Sequence, residues 1–212
     1  MNIVTAGSAS FEASRNTITA RCPGCGHLGT FEIMAESRDI LITSMTPNAY
    51  GGMRRCPNPK CKMLLFFMAQ GTEVLASYPP QRLDFDATNL PEAVRASLQE
   101  AVVCHANQCY TAAAIMVRKT LEELCRERGA KGKDLKERIK ALGGKIILPA
   151  ELLAAMDDLR LLGNDAAHVE SQEFNNIGKN EVEIGIEIAK EVLKAVYQYS
   201  SLIDKLRALK KP

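Results

Sequence analysis

Two pairs of cysteines constrain the fold of this chain more than any other feature. Cys22 and Cys25 stand in the run Cys-Pro-Gly-Cys, and Cys56 and Cys61 stand in the run Cys-Pro-Asn-Pro-Lys-Cys. Each run is a tight turn that presents two thiolates, and four thiolates make the tetrahedral site that zinc prefers. The sequence therefore predicts one structural zinc ion per chain, bound by these four cysteines. His27 is an alternative ligand, although four cysteines already complete the coordination.

The residues around the cysteines are predicted to form a small β zinc ribbon. Short β-prone runs cover residues 30–33, 40–43, 63–69 and 74–78. These runs are too few to bury a core alone, so the metal is expected to supply the missing stability. Two consecutive prolines, Pro79 and Pro80, end the pattern because proline cannot donate to a strand ladder. The predicted ribbon covers residues 1–82, and residues 83–89 form a linker.

The rest of the chain is predicted to be an antiparallel helical bundle over residues 90–212. The chain is 46% hydrophobic, has no Trp and has few other aromatic residues, so its larger core must consist of Leu, Ile, Val, Ala and Met. Such a core is typical of helix bundles. Apolar residues recur every three to four positions from Val94 to His105, from Tyr110 to Cys125 and from Val182 to Leu206. The sequence therefore predicts a mainly α chain with a small β domain at its N-terminus.

The last predicted helix is longer than its neighbours can cover. Its apolar stripe runs through Val196, Tyr199, Ile203 and Leu206 near the C-terminus. An apolar stripe that the bundle leaves open is typical of a contact with a second copy. We therefore expect a homodimer through the helical domain.

The charge pattern allows local nucleic-acid contacts and excludes a polycation. The net charge is only +2, so a histone-like surface is ruled out. The basic residues near the cysteines could contact phosphate or could offset the charge of a zinc–thiolate site, and we prefer the second interpretation. Residues 126–145 carry eight basic side chains against three acidic ones. This segment is the best candidate for binding a nucleic-acid backbone, although a solvated surface has the same composition. Its candidate residues are Lys131, Lys133, Lys136, Arg138 and Lys140.

The run from Arg160 to His168 is the candidate active site. In a helix, Arg160, Asn164 and His168 share one face within an arc of roughly 80°. Guanidinium, amide and imidazole groups in one cleft could bind a phosphate and move a proton. The alternative is that Gly163 and Asn164 end a helix, because both tolerate a left-handed cap. Arg118 and Glu122, one turn apart, are interpreted as an ion pair within or between helices.

The helical segment resembles a bacterial family of unknown function placed in the HEPN superfamily. The resemblance covers residues 88–206 and depends on Arg118 and Glu122 and on the run Arg-Leu-Leu-Gly-Asn-Asp-Ala-Ala-His that ends at His168. It implies a dimeric helical bundle that cleaves RNA without metal at a site shared by two protomers. By resemblance, His168 assists attack by the 2′-hydroxyl, with Asn164 and Arg160 beside it. The resemblance also implies a phage-defence or toxin–antitoxin setting, with a partner protein such as an antitoxin.

One departure from that family keeps other functions open. The usual motif has Arg directly before the polar residue, whereas this chain has Gly163 there. The alternatives are a non-catalytic nucleic-acid or nucleotide binder and a protein-binding adaptor of a defence or restriction system. The direction of Arg160 is the discriminating feature, because a surface acid as its partner would favour the adaptor.

The location of the protein is predicted from what its sequence lacks. The N-terminus has neither the basic start nor the long apolar run of a signal peptide. Seven cysteines are an odd number, which favours metal binding or free thiols over a disulfide framework. We therefore expect a cytoplasmic protein that has no contact with a membrane.

Overall fold

The computed structural model describes residues 9–209, except residues 15, 147, 169–173 and 175. The chain divides into two compact units, Met1–Asp84 and Phe85–Pro212. Among the described residues, no helix combines the length and the apolar character that crossing a bilayer requires.

The first unit is an antiparallel sheet organised around β5. In the described residues it has seven strands, which are β1 (Ala9–Ala13), β2 (Ile18–Arg21), β3 (Leu28–Ile33), β4 (Arg38–Ile42), β5 (Ala49–Arg55), β6 (Leu64–Gln70) and β7 (Glu73–Tyr78). One side of β5 pairs with β4 and then with β3, and the other side pairs with β6. Strands β1, β2 and β7 extend the sheet from β4, β3 and β6, respectively.

One face of this sheet carries a core of its own. Side chains alternate along a strand, so Leu65, Phe67 and Ala69 of β6 point into the core while Leu64 and Phe66 stay exposed. The buried cluster also contains residues of β2, β3 and β5 and two of the predicted metal ligands: Ile18, Ala20, Cys22, Phe31, Tyr50 and Cys56. The cysteine turns are therefore built onto a packed sheet.

The prediction of a mainly α chain with a small β ribbon is wrong. Seven antiparallel strands in the described residues make the N-terminal unit a large β domain, in addition to the helical one. The prediction missed β1, β2 and β5. Strand β5 matters most because it pairs with β3, β4 and β6, and its Gly51, Gly52 and Arg54 are typical of a loop. Without β5, the remaining β-prone runs could not be joined into a sheet, and the core of the first unit was underestimated.

The second unit is a bundle of helices centred on α2. Its helices are α1 (Glu92–Ala106), α2 (Tyr110–Glu127), α3 (Leu135–Gly143), α4 (Ala150–Ala167), α5 (Lys179–Leu193) and α6 (Tyr199–Ala208). Helix α2 packs against α1, α3, α4 and α5 through an apolar side that includes Ala113, Val117, Leu121 and Leu124. The helices predicted from the apolar periodicity are present at these positions.

Local sequence signals explain where several helices begin. Pro91 and Pro149 lie directly before α1 and α4, where the missing N–H of proline has no cost. At the start of α3, the Asp134 side chain accepts a hydrogen bond of 2.8 Å from the N–H of Glu137. Its carboxylate thereby satisfies one of the free donors of the first turn.

The long closing helix is present, with a π-helical stretch in its middle. Residues Lys194–Gln198 form this stretch between α5 and α6. The Tyr197 hydroxyl donates to Glu127 Oε2 at 2.6 Å, and the Arg128 guanidinium lies 4.4 Å from the centre of the Tyr197 ring. Arg128 Nη2 also donates to the carbonyl oxygen of Val196 at 3.4 Å. These contacts with the end of α2 accompany the local change in helical winding.

Candidate metal centre and candidate active site

The four predicted ligands meet at one point of the first unit. All four Sγ atoms lie within 4.8 Å of one another. The Cys22–Cys61 and Cys25–Cys56 sulfur pairs are both 3.8 Å apart. Four sulfurs at about 2.3 Å from one ion in a tetrahedron would be about 3.8 Å apart, whereas a disulfide would bring two of them to bonding distance. The geometry is therefore that of a four-thiolate metal site.

The turns and the burial of the cysteines suit a bound cation. The Cys22 N–H donates to the carbonyl of His27, and the Cys56 N–H donates to that of Met63. A hydrogen bond from the His27 backbone lowers the pKa of Cys25 to about 7, whereas burial raises the pKa of Cys56 to about 12. Without a cation, the buried Cys56 thiol would keep its proton at neutral pH. A divalent metal would supply the charge that stabilises its thiolate.

Two arginines near the cysteines have specific partners in the sheet. Arg54 is fully buried, and its guanidinium binds both carboxylate oxygens of Asp39, at 2.8 and 2.6 Å. Arg55 forms an exposed pair with Glu32 at 2.7 Å. Arg54 therefore cannot contact an external phosphate, because its charge is enclosed in the core.

The candidate motif lies on the last turns of α4. The helix continues through Gly163 and Asn164 to Ala167, so the alternative in which these residues end the helix is wrong. His168 caps the C-terminus and is exposed, and its N–H donates to the carbonyl of Asn164 at 2.9 Å. Asn164 is half-buried. The two residues are therefore one helical turn apart, at the end of α4 that opens to solvent.

Arg160 has a partner one turn back on the same helix. Its Nε donates to Asp157 Oδ1 at 2.6 Å. This hydrogen bond and the charge of Arg160 lower the pKa of Asp157. The guanidinium is thus held toward a surface acid, which is the geometry that favours an adaptor under the criterion set by the sequence.

The guanidinium in contact with Asn164 belongs to Arg118, on the neighbouring helix α2. Arg118 Nη1 donates to Asn164 Oδ1 at 2.7 Å and to the carbonyl of Arg160 at 3.2 Å. Arg118 Nε lies 3.2 Å from Glu122 Oε1, so the predicted ion pair is confirmed. The contact with Asn164 was not predicted, because residues 46 positions apart share no local sequence signal.

Gly163 explains why α2 and α4 can approach this closely. A Cβ atom at Gly163 would lie 2.4 Å from Cβ of Arg118, a separation that real atoms do not tolerate. The glycine therefore makes room for the stem of Arg118 between the two helices. The glycine at this position is the only signal that the sequence gives for the close approach of the two helices. It can be interpreted only once the packing is known.

The basic residues predicted to bind nucleic acid lie on and before α3. Lys131, Lys133, Lys136 and Lys140 are exposed, whereas Arg138 is half-buried and donates to the carbonyl of Gly132 at 3.3 Å. Three of these lysines border a groove of about 780 Å³ between α3 and α4, which has an apolar floor: Lys133, Lys136 and Lys140 around Ile139, Leu153 and Ala154. The surface thus combines exposed cations with an apolar groove, which Asp134, Glu137 and Asp157 also line.

Together, the fold and the sites define a protein with a four-cysteine β domain followed by a helical domain that carries a polar cluster. Residues 99–211 match the model of a family described as a domain of unknown function, DUF4145. Because this match spans more than half of the chain, the protein belongs to that family. No curated protein and no solved structure matches the chain.

Proposed function

We propose that the protein binds one zinc ion per chain at Cys22, Cys25, Cys56 and Cys61, and that its helical domain is a HEPN-like endoribonuclease that needs no metal for catalysis. The sulfur–sulfur distances of 3.8 Å support a tetrahedral ion, and four thiolates favour zinc over harder cations. The role of the zinc is structural, since four protein ligands leave no position open for a substrate.

One observation carries the ribonuclease proposal. The end of α4 presents an exposed imidazole, His168, one turn from an amide, Asn164, that is hydrogen-bonded to a guanidinium at 2.7 Å. Imidazole can accept and return a proton near neutral pH, which transesterification of RNA requires. In this reaction the imidazole removes the proton of a 2′-hydroxyl, whose oxygen attacks the adjacent phosphorus. The 5′-oxygen leaves and takes a proton that the imidazolium returns, and the products are a 2′,3′-cyclic phosphate and a 5′-hydroxyl.

The exposed lysines next to α3 would bind the backbone of the RNA. Lys131, Lys136 and Lys140 extend into solvent, where they can follow a flexible strand. Lys133 is paired with Glu137 at 3.2 Å, but both side chains are largely exposed, so this pair competes only weakly with a phosphate. Such contacts give affinity without sequence preference.

Loss of His168 is expected to abolish RNA cleavage. The assay would use wild-type protein and His168→Ala with single-stranded RNA. The buffer contains no added divalent cations, which limits metal-dependent cleavage, and no chelator, so that the structural zinc stays bound. The wild type should release fragments ending in 2′,3′-cyclic phosphate, and His168→Ala should be slower by at least about 10² because the proton acceptor is gone.

The control for this assay is Arg95→Ala, which removes an exposed pair with Glu92 on α1. This variant should cleave as the wild type does. Equal persistence of RNA with wild type and His168→Ala, also after addition of proteins encoded beside this chain, would contradict the ribonuclease proposal.

A non-catalytic adaptor is the second candidate, and the position of Arg160 favours it. Arg160 donates to Asp157 on its own helix, and the apolar groove between α3 and α4 offers a surface for a peptide. In that case the motif would stabilise the packing of α2 on α4. The protein would bind RNA, a nucleotide or another protein without catalysis, as an adaptor in a defence or restriction system.

The helical domain is proposed to form a homodimer through α6. Five apolar side chains of the last turns are exposed by 47% to 80%: Tyr199, Leu202, Ile203, Leu206 and Leu209. They continue the stripe that is buried on α5, where Val182, Ala189 and Val192 pack in the core. A second copy of the same stripe is the occupant that would cover them by symmetry.

Replacement of Leu202 and Leu206 by Glu is expected to give a monomer. Burying the two leucines contributes at least about 3 kcal/mol, so the dimer Kd should rise more than a hundredfold. Light scattering at tens of micromolar would measure this change, and Lys205→Glu on the same helix is the control that adds negative charge without removing apolar surface. A wild-type monomer at this concentration would refute the dimer.

A further inference from the structure

The Arg118 guanidinium is held by three contacts that engage only two of its nitrogens. Nε faces Glu122, and Nη1 donates to Asn164 Oδ1 and to the carbonyl of Arg160. Within the described part of the chain, Nη2 has no hydrogen-bond partner. The Arg118 side chain is 24% exposed, so it is partly accessible to solvent and to a ligand.

The hydrogen bond from Arg118 also sets the orientation of Asn164. A guanidinium can only donate, so Asn164 must turn its oxygen to Arg118. The Nδ2 group of the amide, with two hydrogens, then points elsewhere. Arg118 Nη2 and Asn164 Nδ2 thus provide four N–H donors on two side chains that are bonded to each other, one helical turn before His168.

We infer that Arg118 Nη2 and Asn164 Nδ2 form a subsite for a phosphate group of the RNA backbone. The inference rests on the proposed function for the identity of the ligand. A guanidinium is charged at every working pH, and its planar fork matches phosphate oxygens. Because contacts with α2 and α4 already fix the Arg118 guanidinium, it loses little conformational entropy when it binds a phosphate. Arg118, rather than Arg160, is then the cation that meets the scissile phosphate.

Gly163 and Glu122 are parts of this subsite that do not touch the ligand. Gly163 lets the Arg118 stem pass between α2 and α4, and Glu122 pairs with Nε and thereby helps to fix the orientation of the guanidinium. Both act as positioning residues. The subsite depends on packing between two helices, and its cation is 42 residues away in sequence from Arg160.

The salt dependence of RNA binding tests the subsite separately from cleavage. The probe is a fluorescein-labelled 2′-O-methyl RNA 12-mer, which cannot be cleaved because it lacks the 2′-hydroxyl. Loss of one phosphate contact on a single strand reduces the slope of log K against log salt by about 0.7. Arg118→Ala should show this reduction and bind about tenfold more weakly. Arg118→Lys should keep the slope, and Arg95→Ala should match the wild type in both quantities.

The outcomes separate the subsite from the ribonuclease. A reduced slope for Arg118→Ala with the slope retained in Arg118→Lys supports the subsite, even if no RNA is cleaved. An unchanged slope for Arg118→Ala overturns it, even if His168→Ala abolishes cleavage. Equal losses in the Ala and Lys variants would assign Arg118 to helix packing and would overturn the subsite, as would a wild type that does not bind the probe.

Discussion

Replacement of Cys56 by Ser is expected to release the zinc and to destabilise the whole β unit. Cys56 is buried in the sheet core together with Cys22, so its loss removes a ligand and leaves three thiols around a vacated site. Loss of a structural metal is among the largest effects of a single substitution and lowers the free energy of unfolding by more than about 4 kcal/mol. Elemental analysis should give one zinc per wild-type chain and less than half of that for Cys56→Ser. Hydrogen exchange of β5 and β6 should become faster.

A cysteine outside the metal site provides the matched control. Cys109 is exposed at the start of α2, so Cys109→Ser should keep the zinc and the exchange pattern. A wild-type chain with less than about half a zinc and with a protease-resistant β unit would contradict the assignment.

The metal ligands and four of the seven described strands could be predicted from the sequence, whereas β1, β2 and β5 could not. Cysteine spacing determines ligand geometry locally, within two short turns, so Cys22, Cys25, Cys56 and Cys61 are identifiable without any tertiary contact. Strand β5 is the opposite case. Its Gly51 and Gly52 have low strand propensity, and they are present because neighbours come close: a Cβ on Gly52 would lie 2.1 Å from Asp39 Oδ1. The close approach of Gly52 in β5 to Asp39 in β4 is a tertiary contact, so no local sequence pattern indicates it.

The same distinction applies to the candidate active site. The position of Asn164 on α4 follows from helical periodicity, and the helices followed from apolar patterns, whereas His168 comes directly after the helix with an extended backbone. The partner of Asn164 depended on the packing of α2 on α4, and Gly163, which seemed to end a helix, is the residue that permits this packing. Arg118 could be interpreted from the sequence only as the partner of Glu122, since charge pairs four residues apart are the pairs a sequence reveals.

The buried pair of Arg54 and Asp39 is expected to be the most sensitive side-chain contact of the sheet. Arg54 is 0% exposed and Asp39 is 6% exposed. Besides the two bonds to Asp39, Arg54 Nε donates to the carbonyl of Asn16 at 2.9 Å, and the Ser14 hydroxyl donates to Asp39 Oδ1 at 2.8 Å. Asp39→Ala would leave the guanidinium buried without a counter-charge, which costs about 3–5 kcal/mol. Urea unfolding followed by hydrogen exchange in β4 and β5 would measure this loss.

A double substitution distinguishes the value of the pair from the cost of breaking it. Asp39→Leu with Arg54→Met removes both charges, so no buried ion remains and the chain should be more stable than Asp39→Ala alone. Arg55→Ala is the matched control on the same strand, because its pair with Glu32 is nearly half exposed on both sides and should contribute less than about 1 kcal/mol. If Asp39→Ala and Arg55→Ala destabilise the sheet equally, Arg54 is reached by water and the enclosed ion pair is refuted. The expected difference arises because water solvates Arg55 after its partner is lost and cannot reach Arg54.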